Sequence, residues 1–110
     1  MIDWDRIRKL QSEIGEEDFP EVVDLFIAEV AEYIARLKNA PEISTIGSEL
    51  HALRGSALNL GFATFAELCH TGESQSLEGR ADEIDLVPLL MCYEESKLIF
   101  LNGLENGEAA

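Results

Sequence analysis

A chain of 110 residues, 46% apolar and sparse in glycine and proline, is long enough for one domain whose core needs neither disulfide nor metal. Its 22 acidic and 8 basic side chains leave a formal net charge of −14. That charge repels a phosphate backbone and excludes nucleic acid as a partner; otherwise it reads as a solvated, solubilising surface.

Met1 is followed by Asp3, Trp4 and Asp5, which is no signal peptide. Asp3 caps a first helix that runs through Ile14, with Trp4, Ile7, Leu10 and Ile14 on its apolar face and Gly15 as its stop. Asp18 starts a second helix. Pro20 fits its first turn, where a missing N–H is no loss, and Glu21 completes a capping box. Val23, Phe26, Val30, Tyr33 and Leu37 keep a three-four alternation until Asn39-Ala40-Pro41 breaks it. In the third helix Ile43, Ile46, Leu50, Leu53, Ala57 and Leu60 form one stripe, and Gly61 ends it.

Thr64 and Glu67 read as a capping box for the fourth helix, whose buried side is Phe65, Leu68, Gly72 and Ser76. The small residues on that side predict a close approach of a neighbouring helix. Gly79 follows its end. Asp85 caps a fifth helix with Pro88 in the first turn and a stripe of Leu86, Leu90, Tyr93, Phe100 and Leu104, interrupted by Lys97. Asn106-Gly107 stops it, and the tail over residues 105–110 is expected to be disordered. No apolar run approaches the ~20 residues of a membrane span, so no membrane association and a cytoplasmic location are expected. Cys69 and Cys92 sit in apolar contexts and read as buried thiols of a reducing compartment. The two histidines and two cysteines lack finger-like spacing, so no metal site is expected.

Short connections between long amphipathic helices make successive helices antiparallel neighbours. The expected fold is therefore all-α: an antiparallel up-and-down four-helix bundle with an additional short N-terminal helix packed across one end. It is a single domain over 1–110 and a monomer.

The stretch Leu50–Gly61 carries the chemistry. His51 lies off the apolar stripe of its helix, at about 100° per residue, and points to solvent. Gly55 is one turn later on the same open face, with Arg54 beside both. A glycine costs about 1 kcal/mol in a helix interior relative to alanine. Beside an exposed histidine it implies that another molecule must approach the backbone. On the fourth helix His70 and Glu73 are three residues apart and share a face. If Glu73 accepts a hydrogen bond from Nδ1–H of His51, Nε2 keeps its lone pair and becomes the nucleophile.

His51, Leu53, Arg54, Gly55, Ser56, Ala57, Leu60 and Gly61 together resemble the phosphoacceptor motif of histidine-containing phosphotransfer (HPt) domains. The departure is Arg54, where that family usually has lysine; arginine keeps the charge but not the shape. A short first helix before a long second one resembles the family's N-terminal half more weakly. Glu73, twenty-two residues after His51, falls where the family often has a Gln or Glu that reaches the ring. With His70 and the Gly61-Phe62 junction, it resembles the phosphotransfer domain of chemotaxis-type histidine kinases.

The resemblance implies a phosphorelay intermediate and not a turnover enzyme. His51 would be the phosphoacceptor, Arg54 and Gly55 would stabilise the phosphoryl group and meet the partner, and Glu73 with His70 would orient the ring. The partners would be response-regulator receiver domains and a hybrid or chemotaxis-type histidine kinase. No cofactor is expected on this chain, since the receiver brings the Mg²⁺.

Two other readings stay open on the residues alone. One is a helical interaction module that binds and regulates a kinase or receiver without carrying phosphate. The other is an enzyme using His51 and Glu73 as a general-base pair. Against the latter, the chain has no nucleophile motif and no phosphate-binding glycine loop.

Overall fold

The computed structural model describes residues 1–107, and they form five helices: α1 (Trp4–Ile14), α2 (Phe19–Asn39), α3 (Ile43–Asn59), α4 (Ala63–Leu77) and α5 (Leu86–Glu105). A single 3-10 turn, Ala81–Glu83, which the sequence pattern did not suggest, lies between α4 and α5. Helices α2 to α5 make an elongated bundle, 43 × 22 × 20 Å with α1 included. Around the bundle, α3 lies between α2 and α4, and α5 lies between α4 and α2, so α3 and α5 are diagonal across the core. The expected all-α bundle with a short leading helix is the observed architecture.

Two caps form as anticipated. The Asp3 carboxylate accepts from the Arg6 N–H at 3.1 Å, and that of Asp85 from the Val87 N–H at 3.1 Å. Two do not. Asp18 has helical angles, φ −91° and ψ −14°, so its side chain cannot fold back over the first turn and makes no cap bond. Instead the Phe19 N–H donates to the Gly15 carbonyl at 3.1 Å. Thr64 is already inside α4, which begins at Ala63. Its amide faces the Met1 carbonyl at 3.5 Å, so backbone from the chain's start stands where a capping side chain would be.

That N-terminal segment fastens the α3–α4 turn. Ile2 pairs with Phe62 in an antiparallel bridge, and the Asp3 N–H donates to the Gly61 carbonyl at 2.7 Å. The Arg6 guanidinium adds a 2.9 Å bond to the Asn59 side chain. Gly61 has φ +73°, and a Cβ there would lie 2.6 Å from the Asp3 carbonyl, so both the backbone angle and the close approach require glycine. Trp4 stacks on Phe100 at 6.1 Å and Phe62 meets the same ring edge-on at 5.3 Å, closing this end of the bundle.

Two stripes need correction. Ile43 is 64% exposed and not part of the α3 seam. Gly47 packs on Ser76, and α4 ends at Leu77, so a residue one turn before Gly47 overhangs the end of α4. In α5 the buried residues are Leu89, Cys92, Tyr93, Ser96, Phe100 and Gly103; Leu86, Leu90, Lys97 and Leu104 are only half-buried beside them. Nearly every side of α5 carries large apolar residues, so periodicity alone does not select the phase. Small residues at Ser96 and Gly103 mark the true core side. Of the tail expected to be disordered, Glu105 is helical, Asn106 and Gly107 are in a turn, and 108–110 lie outside the described residues.

Candidate functional site

The site sits on the seam between α3 and α4, and the seam is set by small residues. A Cβ added at Gly47 would lie 2.3 Å from Ser76 Oγ and 2.9 Å from its Cβ. A Cβ at Gly72 would lie 2.7 Å from Leu50 Cδ1. Leu50 is fully buried. The seam therefore interlocks at two points, Gly47 on Ser76 and Leu50 on Gly72. The next residues along each helix, His51 and Glu73, are brought face to face.

His51 Nδ1 lies 2.7 Å from Glu73 Oε2. A carboxylate only accepts, so Nδ1 carries the hydrogen and the neutral ring keeps its lone pair on Nε2. The two side chains differ sharply in exposure. That of His51 is 71% exposed, whereas that of Glu73 is 14% exposed. The carboxylate is thus held by the seam, and the ring stands out from it. A shallow hollow surrounds the pair, formed by Ser44, Gly47, Ser48, Ser76 and Leu77. Sequence reasoning passed over Ser44 and Ser48, although they precede His51 by two turns and one turn on the same face.

The remaining candidates divide. Gly55 is exposed, and a Cβ there would meet nothing within 4 Å, so nothing inside the protein requires glycine. Arg54 makes no ion pair among the described residues. It lines a second hollow farther along the same seam, with Leu58, Ala66, Glu67, His70 and Thr71. His70 is exposed there and makes no hydrogen bond to His51. The structure thus brings Glu73 to the ring and sets His70 beside Arg54, which departs from the ring-orienting place expected for His70. The two hollows follow one another along a single α3–α4 face, with His51 and Glu73 in the first and Arg54 and His70 one turn away on each helix in the second.

Beneath the site, burial pushes the Cys69 thiol up to about 12, with Cys92 and then Glu73 adding to the shift. Cys69 and Cys92 are free and buried, as their apolar contexts suggested. Among the described residues no cluster of three or more His, Cys, Asp or Glu side chains could hold a metal ion. No helix there is long and apolar enough to cross a membrane.

The family model described as Hpt domain matches residues 21–98, which include α3, α4 and the whole His51–Glu73 pair. The chain belongs to the Hpt family. No curated protein and no solved structure matches it. Hpt domains are phosphotransfer modules of two-component signalling, carriers and not turnover enzymes, and they interact with receiver domains and histidine kinases.

Proposed function

We propose that this Hpt domain is a phosphorelay intermediate in which His51 takes a phosphoryl group from a receiver-domain phosphoaspartate, or from a kinase, and passes it to another receiver. The observation that carries the reading is the exposed Nε2 of a ring whose Nδ1–H is bonded to a largely buried carboxylate. In the transfer, Nε2 attacks phosphorus as the P–O bond to the aspartate breaks and the aspartate leaves as carboxylate. The Nδ1 hydrogen stays on the ring, directed at Glu73, which offsets the positive charge that builds there. Onward transfer reverses these changes on the next receiver's aspartate.

Such a step depends on in-line positioning and charge stabilisation more than on covalent machinery. In this reading Arg54, which has no ion partner among the described residues, donates to phosphoryl oxygens, and Gly55 leaves room for the receiver. Mg²⁺ belongs to the receiver's acidic pocket, and this chain brings no cofactor. His70 lies on the docking face beside Arg54 and does not orient the ring.

The test is to charge candidate receivers with radiolabelled acetyl phosphate and mix them with the chain. Wild type gains acid-labile, alkali-stable label. His51→Gln gains none and keeps its helical circular dichroism, since the replaced side chain is 71% exposed and takes no part in the core. His70→Gln labels normally. Glu73→Ala loses one charge-assisted hydrogen bond, worth about 1.5–3 kcal/mol, and is labelled about tenfold or more slowly with receiver binding unchanged. Full labelling of His51→Gln overturns the assignment. A wild type that no receiver labels leaves the non-phosphorylated interaction module as the better reading.

A further inference from the structure

Helix α5 is apolar on two opposite sides. Its core row includes Leu89, Tyr93, Ser96, Phe100 and Gly103, all buried. A second row, Val87, Met91, Glu94, Leu98, Leu101 and Glu105, repeats the same alternation of four and three. The rows are offset by two residues, which is about 200° on a helix. In the outer row Val87, Met91, Leu98 and Leu101 are 61%, 67%, 62% and 41% exposed. A helix at a protein surface ordinarily confines its large apolar residues to one face, and one that is apolar all round is normally covered all round. Four such residues in register are a patch, unlike scattered single ones.

The row also borders a groove. Leu90 and Met91 share a hollow with Lys38 of α2 and with Glu94 and Glu95. Glu94 and Glu95 continue into a hollow with Lys97, Leu98 and Leu101. Leu101 then opens, with Leu104, onto Phe19, Pro20 and Val23 at the start of α2. The three hollows share residues in turn and make one track along the α2–α5 side. From Met91 to Leu104 it spans about 20 Å, the length of a helix of roughly 13 residues. Its far end uses Gln11, Leu101 and Leu104, outside the residues 21–98 matched by the Hpt domain.

Charge selects the occupant. Asp24, Glu94, Glu95 and Glu105 border the track against Lys38 and Lys97, and Lys38 is already paired with Glu94 at 3.4 Å. The whole chain carries −14. A second copy would bring the same net charge of −14 and the same acidic border to the seam. A helix with an apolar stripe flanked by lysines or arginines meets both the apolar row and its acidic border.

We propose that the α2–α5 track docks a cationic amphipathic helix of a partner protein. In the ring of helices α2, α3, α4, α5, this side lies opposite the α3–α4 face. The occupant would therefore hold the domain while His51 stays open to a second protein. The proposal does not rest on His51 carrying phosphate.

The probe is a synthetic helix of about 14 residues, matched to the track by the helical rise. It has leucine at the stripe positions and lysine elsewhere, and a control peptide has glutamate in place of lysine. Each is titrated into the full chain and followed by fluorescence anisotropy and by backbone amide NMR. The lysine peptide binds at least tenfold more tightly than the control. Its shifts centre on Met91–Leu104 and the start of α2 and leave His51 and Gly55 unmoved. The double variant Met91→Gln, Leu98→Gln keeps its circular dichroism and binds at least tenfold more weakly. Shifts spread evenly over the acidic surface, or unchanged affinity in the double variant, overturn the proposal. So does a dimer of the chain alone, seen by sedimentation and dissociated by Leu98→Gln, because the occupant is then a second copy.

Discussion

The α3–α4 seam and the α2–α5 side are two helix pairs of one bundle, built on opposite plans. Along the seam the side chains are too small for ordinary helix spacing, so the backbones close in on Gly47 and Gly72. There apolar burial fixes two polar groups at 2.7 Å. On the α2–α5 side apolar residues exceed what the core can cover, and the surplus forms an exposed row from Val87 to Leu101. Tight packing gives a site with one geometry, whereas surplus apolar surface gives a face that is completed from outside.

The sharpest test of that contrast places the same substitution on the two sides of α5. Leu89 is 3% exposed and Leu98 is 62% exposed. Leu89→Ala should cost about 2–5 kcal/mol of unfolding free energy, whereas Leu98→Ala should cost no more than about 0.5 kcal/mol. Urea unfolding measures both, and equal losses would mean that α5 has one functional side only.

A smaller effect contrasts the glycines of the seam with the one on the open face. Gly72→Val forces a branched side chain against buried Leu50 and should cost about 1–3 kcal/mol. It should also lengthen the His51–Glu73 contact, seen as a shift of the His51 ring resonances. Gly55→Ala meets nothing and should gain up to about 1 kcal/mol by helix propensity. If Gly55→Gln also leaves transfer unchanged, partner approach does not explain that glycine.

The last contrast is a pH slope under the seam. Burial raises the Cys69 thiol from 9.0 to about 12 and, with Glu94 adding, raises the Tyr93 phenol above its usual 10.0. For both groups the folded state holds the proton more tightly than the unfolded state. Their stabilisation is therefore complete below the ordinary values and is lost as pH rises from there through the raised folded-state values. Urea midpoints should fall as pH rises above 9.0, and in Cys69→Ala that fall should start nearer 10.0. An unchanged onset in that variant would remove Cys69 as its source.

Much of this was legible in the sequence. Three-four alternation located five helices, and the phase of His51 against Leu50 and Leu53 placed the ring outside. A tight α3–α4 connection and the spacing of Glu73 anticipated the ring contact, because an antiparallel hairpin fixes which residues face each other. The failures have physical causes. Caps at Asp18 and Thr64 were read as local signals, but the Gly15 turn and the distant Met1 carbonyl claim those positions. His70 shares a face with Glu73, yet one helical turn suffices to carry it to the next hollow. Of the α5 stripe, Tyr93 and Phe100 are buried and Leu86, Leu90 and Leu104 pack half-buried against the core; the deeper positions Leu89, Cys92 and Ser96 are not legible because α5 has two apolar rows, and periodicity gives an angle only when one side is polar.

The fastening of Met1–Asp3 over the α3–α4 turn bears on the order in which the molecule assembles. The Arg6–Asn59 bond joins residues 53 positions apart, whereas α3 and α4 are neighbours in the chain. Closing a long loop costs more entropy than closing a short one, so the hairpin bearing His51 and Glu73 can form before the N-terminus arrives. In the native state the sequence reverses: the terminal segment opens first, at a free energy well below that of global unfolding. In hydrogen exchange the Asp3 amide should therefore trade with solvent well ahead of those of Leu50 and Leu53. The His51–Glu73 pair would then outlast the loosening of the end that fastens it, and comparable protection at all three amides would mean that the bundle opens only as one unit.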